Sequence, residues 1–242
     1  MKKRLLAGMV AIALLSGTAF ATEKVIWTEE TLETSETVVS YTDTQQLSQE
    51  ENAILQVLYA LGVMQGDEDA AFRPDDGVTR AEMAKILVMM QKLPVAEFPE
   101  SGFDDVVNTH WAKNAIAMVK SQGLMLGNGD GTFAPERTLS KEELCKVITV
   151  LLGYGPMAEI NGGYPDGYLT VVKRFVLKMD TIFPGQVTRL EVAKMLYQAL
   201  QTPLMEQTTF GSPENATYKI CDGLDGEPLV TLLHRNFLIE RN

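Results

Sequence analysis

The chain has 242 residues and a formal net charge of −11, with 32 acidic against 21 basic side chains. That balance excludes nucleic-acid binding through bulk electrostatics. Cys145 and Cys221 sit in unlike contexts, and His110 and His234 are far apart, so neither a disulfide framework nor a zinc site is expected. No cofactor is implied either.

Met1-Lys2-Lys3-Arg4, the apolar run from Leu5 to Leu15 and the small-residue ending up to Ala21 have the parts of a secretory signal peptide, with cleavage expected after Ala21. The run is shorter than the roughly 20 residues a membrane span needs. No later stretch is apolar enough to stop transfer, so a secreted chain without a membrane span after cleavage is expected. Residues 22–48 are rich in Thr, Glu and Ser and show no sustained period, which reads as a flexible spacer.

Beyond the spacer the sequence repeats itself. Gly62-Val63-Met64-Gln65-Gly66 matches Gly123-Leu124-Met125-Leu126-Gly127 at an ungapped offset of 61 residues. The same offset carries Phe72 onto Phe133, Pro74 onto Pro135, Thr79 onto Ser140, Arg80 onto Lys141, Glu82 onto Glu143 and Lys85 onto Lys146. A looser third copy runs from Phe183-Pro184 through Val187-Thr188-Arg189-Leu190-Glu191 to Lys194. Each copy predicts helix, loop, helix. The first helices carry Ile54, Val57, Leu58 and Leu61, then Ile116 and Val119, then Val172, Phe175, Val176 and Met179 at helical spacing. The second helices carry Met83, Ile86, Leu87 and Met90, then Leu144, Val147, Ile148 and Leu151, then Val192, Met195, Leu196, Ala199 and Leu200. One helix pair cannot cover its own apolar stripe, so an all-α repeat domain over 49–205 is expected, with repeats at about 49–93, 102–154 and 160–205.

Each second helix opens with a capping box: Thr79 with Glu82, Ser140 with Glu143, and Thr188 with Glu191. Between cap and glutamate stands a cation every time, Arg80, Lys141 or Arg189. A helix N-terminus disfavours a cation, and two readings remain open. The copies inherited a harmless neighbour of the glutamate, or a cation beside free amides forms an anion site.

The run from Gly123 to Pro135, the segment Phe103-Asp104-Asp105-Val106 with His110-Trp111-Ala112, and the tetrads Thr79–Glu82, Ser140–Glu143 and Thr188–Glu191 resemble the surface-layer homology (SLH) motif. Gly162-Gly163-Tyr164-Pro165 and Gly167-Tyr168, ahead of the third copy, resemble a divergent form found in anaerobic Gram-positive bacteria. The resemblance implies three helix-loop-helix repeats packed as a pseudo-threefold spindle. It implies binding of secondary cell-wall polysaccharide in grooves between repeats, often through a pyruvylated sugar. Arg80, Lys141 and Arg189 would then meet the ligand anion, Lys141 more weakly because it lacks the guanidinium fork. The first copy lacks the Phe-x-Asp-Val and Trp of the second and has Ala70 where Gly131 stands, and the third lacks most of the glycine loop. One or two working grooves are therefore expected.

Trp111 reads either as a platform for a sugar face or as a core aromatic at a helix start. Asp130 either caps the turn of Gly129 and Gly131 or offers an acceptor to a sugar hydroxyl, with the turn role favoured. A calcium loop there fails, because Leu126 and Arg137 fall where carboxylates are needed. No G-x-S-x-G or H-E-x-x-H motif appears and the segments outside the repeats are short, so a non-catalytic wall anchor is expected rather than a wall hydrolase. A protein–protein scaffold is the other reading, and self-association is compatible with either. The tail, 206–242, has two apolar patches split by Asp222-Gly223 and Asp225-Gly226, predicting a small hairpin or an extended cover.

Overall fold

A computed structural model describes residues 39–177, 187–209, 216–221 and 230–237. The signal-peptide expectation, most of the spacer, and Phe183 and Pro184 of the third copy lie outside the described residues. Among the described residues the protein is all-α apart from one two-stranded sheet. It divides into two compact units between Phe72 and Arg73.

The first unit contains α1 (Gln49–Ala60). Ser48 and Glu51 form a capping box there, a fourth instance that the tetrad pattern does not include. The buried stripe is Ile54, Leu55 and Leu58; Val57 and Leu61 are only half-buried. The spacer ends earlier than position 48, because Tyr41 and Thr44 are buried. Tyr41 packs on Phe72 with ring centroids 5.4 Å apart, and Asp43 Oδ1 accepts from the Phe72 amide at 2.9 Å. In the second unit Phe103 packs on Phe133 at 5.2 Å, and Asp105 accepts from the amides of Phe133 at 2.8 Å and Ala134 at 2.7 Å. Tyr41-Thr42-Asp43 therefore supplies the aromatic-x-Asp element expected to be missing from the first copy. The aromatic changed from Phe to Tyr, which hid the match.

The second unit holds α2 (Arg80–Gln91), α3 (Lys113–Ser121), α4 (Lys141–Leu151), α5 (Gly155–Ile160), α6 (Asp166–Val171), α7 (Arg189–Gln201) and α8 (Leu232–Asn236). Strands β1 (Met205–Gln207) and β2 (Tyr218–Ile220) pair antiparallel, with Met205 opposite Ile220. The helices that follow the tetrads form the core: Met83, Leu87 and Met90 of α2, Leu144 and Ile148 of α4, and Met195 and Leu196 of α7 are fully buried. Helix α3 packs on α2, and α4 packs on both α6 and α7. The three capping boxes expected at the second helices all form, and each stabilises its helix start by about 1 kcal/mol.

Where one first helix was expected in the third copy, the chain makes two short helices and a π-helical turn at Val172–Leu177. Gly162 and Gly163 take positive φ and break the run between α5 and α6. The apolar spacing of Val172 and Val176 is kept, since both are buried.

The tail is built into the second unit. The Met205 amide donates to Leu152 O at 2.9 Å, the Cys221 amide to Leu204 O at 2.8 Å, and Asn236 Nδ2 to Met90 O at 2.9 Å. Helix α8 lies against α2 and α7. The repeat boundary expected at 205 thus falls at the start of β1, and Tyr218–Ile220 pairs with Met205–Gln207, whereas the hairpin was expected across Asp222-Gly223 and Asp225-Gly226, which lie outside the described residues.

Candidate functional site

The starts of α2 and α7 are closed by loops from other copies. The first two amides of α2, on Arg80 and Ala81, donate to Arg137 O at 3.0 Å and Pro135 O at 2.9 Å. Those of α7, on Arg189 and Leu190, donate to Asp76 O at 2.6 Å and Pro74 O at 3.0 Å. Donor and acceptor positions are equivalent in the two cases, because Pro74 and Asp76 align with Pro135 and Arg137. These amides are occupied, which corrects the expectation that the tetrad cation at these two starts stands beside free helix-start donors. Satisfied amides leave little for an external anion to bind.

The tetrad cations have partners of the same kind. Arg80 is 4% exposed. Its Nε donates to Phe133 O at 2.7 Å, Nη2 to Leu126 O at 2.9 Å, and Nη1 to Glu143 Oε1 at 2.6 Å. Its guanidinium also lies over the Phe133 ring, 4.5 Å from the centroid. Burial lowers the Arg80 pKa, and the Glu143 charge opposes that effect. Arg189 Nη1 stands 3.6 Å from Glu82 Oε1 in the corresponding arrangement. So the arginine of one tetrad reaches the capping glutamate of another copy. Arg80 is thereby tied to three acceptors within the protein. Lys141 has no ion pair among the described residues, although Arg80 and Arg189 at the matching positions do.

Glu143 is the junction of this set. Arg137 grips it with a fork, Nη2 to Oε1 at 2.6 Å and Nη1 to Oε2 at 3.0 Å, while the Ser140 amide donates to Oε2 at 2.9 Å. Burial works against its ionisation, but the Arg137 fork, the Ser140 amide and the Arg80 charge outweigh it and leave the Glu143 pKa lowered. Glu82 and Glu191 hold the Thr79 and Thr188 amides at 2.8 and 2.7 Å in the same way.

Trp111 is 58% exposed, so it is not a core aromatic. It stacks on His110 with centroids 5.7 Å apart, and His110 Nε2 meets Glu136 Oε1 at 3.1 Å. Lys85 Nζ stands 5.9 Å from the Trp111 centroid. The position equivalent to Lys85 repeats the arrangement: Lys146 Nζ is 5.2 Å from Tyr164 and 5.7 Å from Tyr168. Tyr164 is 51% exposed, while Tyr168 is buried and donates to Glu159 Oε1. Each matched helix therefore sets a lysine beside an exposed aromatic from the opening part of the next copy. The register already aligned Lys85 with Lys146. Their aromatic partners were hidden because they come from another segment and differ in type.

Asp130 Oδ1 accepts from the Thr132 amide at 2.9 Å and from its hydroxyl at 2.6 Å, so it caps its turn as favoured. These bonds lower its pKa. Among the described residues no cluster of His, Cys, Asp or Glu could hold a metal ion. No helix among them is long and apolar enough to cross a membrane.

The S-layer homology domain family matches residues 40–84 and 102–145. The first match begins at the ordered segment containing Tyr41 and Asp43. The chain is 28% identical over 160 residues to the middle cell wall protein of Brevibacillus brevis, covering 64% of this chain and 15% of that protein. It is 29% identical over 182 residues to a cell surface protein of Thermoanaerobacter kivui, covering 72% and 22%. A cellulosome-anchoring protein of Acetivibrio thermocellus is 34% identical over 90 residues, covering 35% and 20%. The chain thus spans less than a quarter of these relatives' length. The repeated aromatic-x-Asp element, glycine turn and capped tetrad fall within the two segments, 40–84 and 102–145, that match the S-layer homology domain.

Proposed function

We propose that this protein holds on to the bacterial cell wall non-covalently, by binding secondary cell-wall polysaccharide in the clefts where a lysine meets an exposed aromatic. The observation that carries this reading is the repeated pair, Lys85 with Trp111 and Lys146 with Tyr164. An exposed ring offers the apolar face of a sugar a surface to stack on, and a neighbouring ammonium favours an acidic substituent. A pyruvylated sugar fits that combination, since its ketal carboxylate and its ring face sit on one residue of the polymer.

The role is non-catalytic and belongs at the cell surface, in keeping with the wall and surface proteins the chain resembles. The segment around Thr188 acts as a third repeat, because its capping box and closed helix start copy those of Thr79. Arg80 and Arg189 serve this function by fixing the copies against one another, and Lys141 is the tetrad cation left for a ligand.

Co-sedimentation with isolated walls tests the reading. The protein is expected to pellet with intact walls and to stay in solution with walls whose polymer has been extracted. Equal pelleting with both would favour a protein or peptidoglycan partner instead.

A further inference from the structure

Ala112, at the cap position of α3, makes no side-chain bond to close the helix start. His110 closes it instead. Its carbonyl accepts from the Lys113 amide at 3.0 Å, and its ring Nδ1 accepts from the Ala112 amide at 3.1 Å. A ring nitrogen that accepts from an N–H carries no proton, so the proton of the imidazole is on Nε2 and is donated to Glu136 Oε1 at 3.1 Å. These two bonds fix the plane of the ring, and the exposed indole of Trp111 stacks on it with 25° between planes.

A charged His110 cannot keep that arrangement. With a hydrogen on both nitrogens it still donates to Glu136, but Nδ1 meets the Ala112 N–H donor to donor. The gain and the loss are unequal. Glu136 is 73% exposed, so water screens the added attraction, whereas Ala112 is buried at 2% exposed and its amide loses its acceptor. Lys85 of α2, 5.9 Å from the indole, also opposes a second cation in the stack. Lys113 is engaged elsewhere, its Nζ donating to Phe98 O at 2.6 Å. The charged ring must therefore turn out of its bond to Ala112, and the indole loses its backing. Histidine changes charge between about pH 5 and 8. The matching pair, Lys146 with Tyr164, has Tyr168 beside it, and burial with the Glu159 bond pushes that phenol up to about 12. That phenol provides no switch in mild acid.

We infer that His110 is a positioning residue for Trp111 that works only when uncharged: the neutral ring holds the indole in place as a platform for a sugar face, and uptake of a proton in mild acid releases it. The sugar contact rests on the wall-binding reading above; the release of the indole does not.

The test uses the full chain with Trp27→Phe, which leaves Trp111 as its one tryptophan. It compares His110 with His110→Asn and His110→Ala, each checked for native helix content, at about pH 7.5 and about pH 5.5. Asparagine keeps an acceptor near the place of Nδ1 and has no proton to gain. His234, the only other histidine, is the same in all three proteins. Quenching of Trp111 emission by acrylamide is read without walls, and affinity for isolated walls is read beside it. With His110, quenching is expected to rise and wall affinity to fall about fivefold at the acid end, the scale of one neutral hydrogen bond. His110→Asn should give the same values at both pH, and His110→Ala should resemble the acid form throughout. The inference is overturned by an acid change that persists in folded His110→Asn, or by Trp111 quenching or measurable wall binding that is the same at both pH in the His110 protein. A pH-dependent Trp111 signal, abolished by His110→Asn, in a protein that binds walls at neither pH overturns the wall-binding reading and leaves the positioning role standing.

Discussion

Arg80 Nη1 lies 2.6 Å from Glu143 Oε1, so the first residue of α2 is bolted to the capping glutamate of α4, 63 positions further along the chain. The recurring cation and the recurring glutamate are therefore partners across copies as well as neighbours within one. Replacing Arg80 by Ala would strand the carbonyls of Phe133 and Leu126 and open a gap beside the Phe133 ring. Glu143 would keep Arg137, so its charge is not left alone. The expected loss is about 3 kcal/mol of stability, read from urea unfolding. Arg80→Lys should fall in between, because an ammonium cannot reach three acceptors in the same geometry. Unchanged midpoints would contradict the clamp.

Acid should weaken the same junction. The folded-state pKa of Glu143 is depressed below its ordinary value of 4.5. Its contribution is therefore fully present above that value and is lost as pH falls through the lower folded pKa. Thermal melts between pH 7 and pH 3 should show Tm dropping at the acid end. Glu143→Gln should start lower at neutral pH and drop less steeply. Parallel curves for the two proteins would count against it.

Gly127 is needed for space. A Cβ there would stand 2.5 Å from Phe103 Cε1 and 2.6 Å from Thr132 O, and at the equivalent Gly66 it would meet Tyr41 Cε1 at 2.6 Å and Ala71 O at 2.8 Å. Gly127→Ala is expected to cost about 2 kcal/mol, because a backbone carbonyl cannot give way as a flexible side chain can. Differential scanning calorimetry of the variant checks this, and an unshifted transition would refute it.

Both thiols should be inert in the folded protein. Burial pushes Cys145 up to about 12, and burial together with Glu206 pushes Cys221 up to about 11. Thiolate is the reactive form, so a chromogenic disulfide reagent at pH 8 should label neither until urea unfolds the chain. Rapid stoichiometric labelling of the native protein would contradict their placement.

The sequence was most legible where copies could be laid over one another. The offset of 61 residues exposed the capped tetrads, and all three capping boxes form as expected. The glycine turn and the role of Asp130 followed from turn chemistry. Legibility failed where the partner came from elsewhere in the chain. Nothing local to Thr79-Arg80-Ala81-Glu82 says that Arg137 O and Pro135 O close the helix start, so the amides read as free. Tyr41 for Phe103 broke the literal match and cost the first copy the residues from 40 to 48 at its start. Lys85 was visible as a repeat position, but its role depended on Trp111, which α3 and the loop before it bring alongside. Arg137 was read only as a poor calcium ligand. The cation set expected to meet the ligand thus divides into internal clamps and one unengaged lysine.

The central claim is that wall polymer is held where lysine meets exposed aromatic. Its most direct test is the affinity of the Lys85→Ala, Trp111→Ala, Lys146→Ala, Tyr164→Ala quadruple variant for isolated walls, beside wild type. All four side chains are at least partly exposed and none belongs to a capping box, so the fold should persist by circular dichroism. The expected result is a loss of about a hundredfold or more, the scale of two cation–aromatic sites removed together. Wild-type affinity in a folded quadruple variant would contradict the claim.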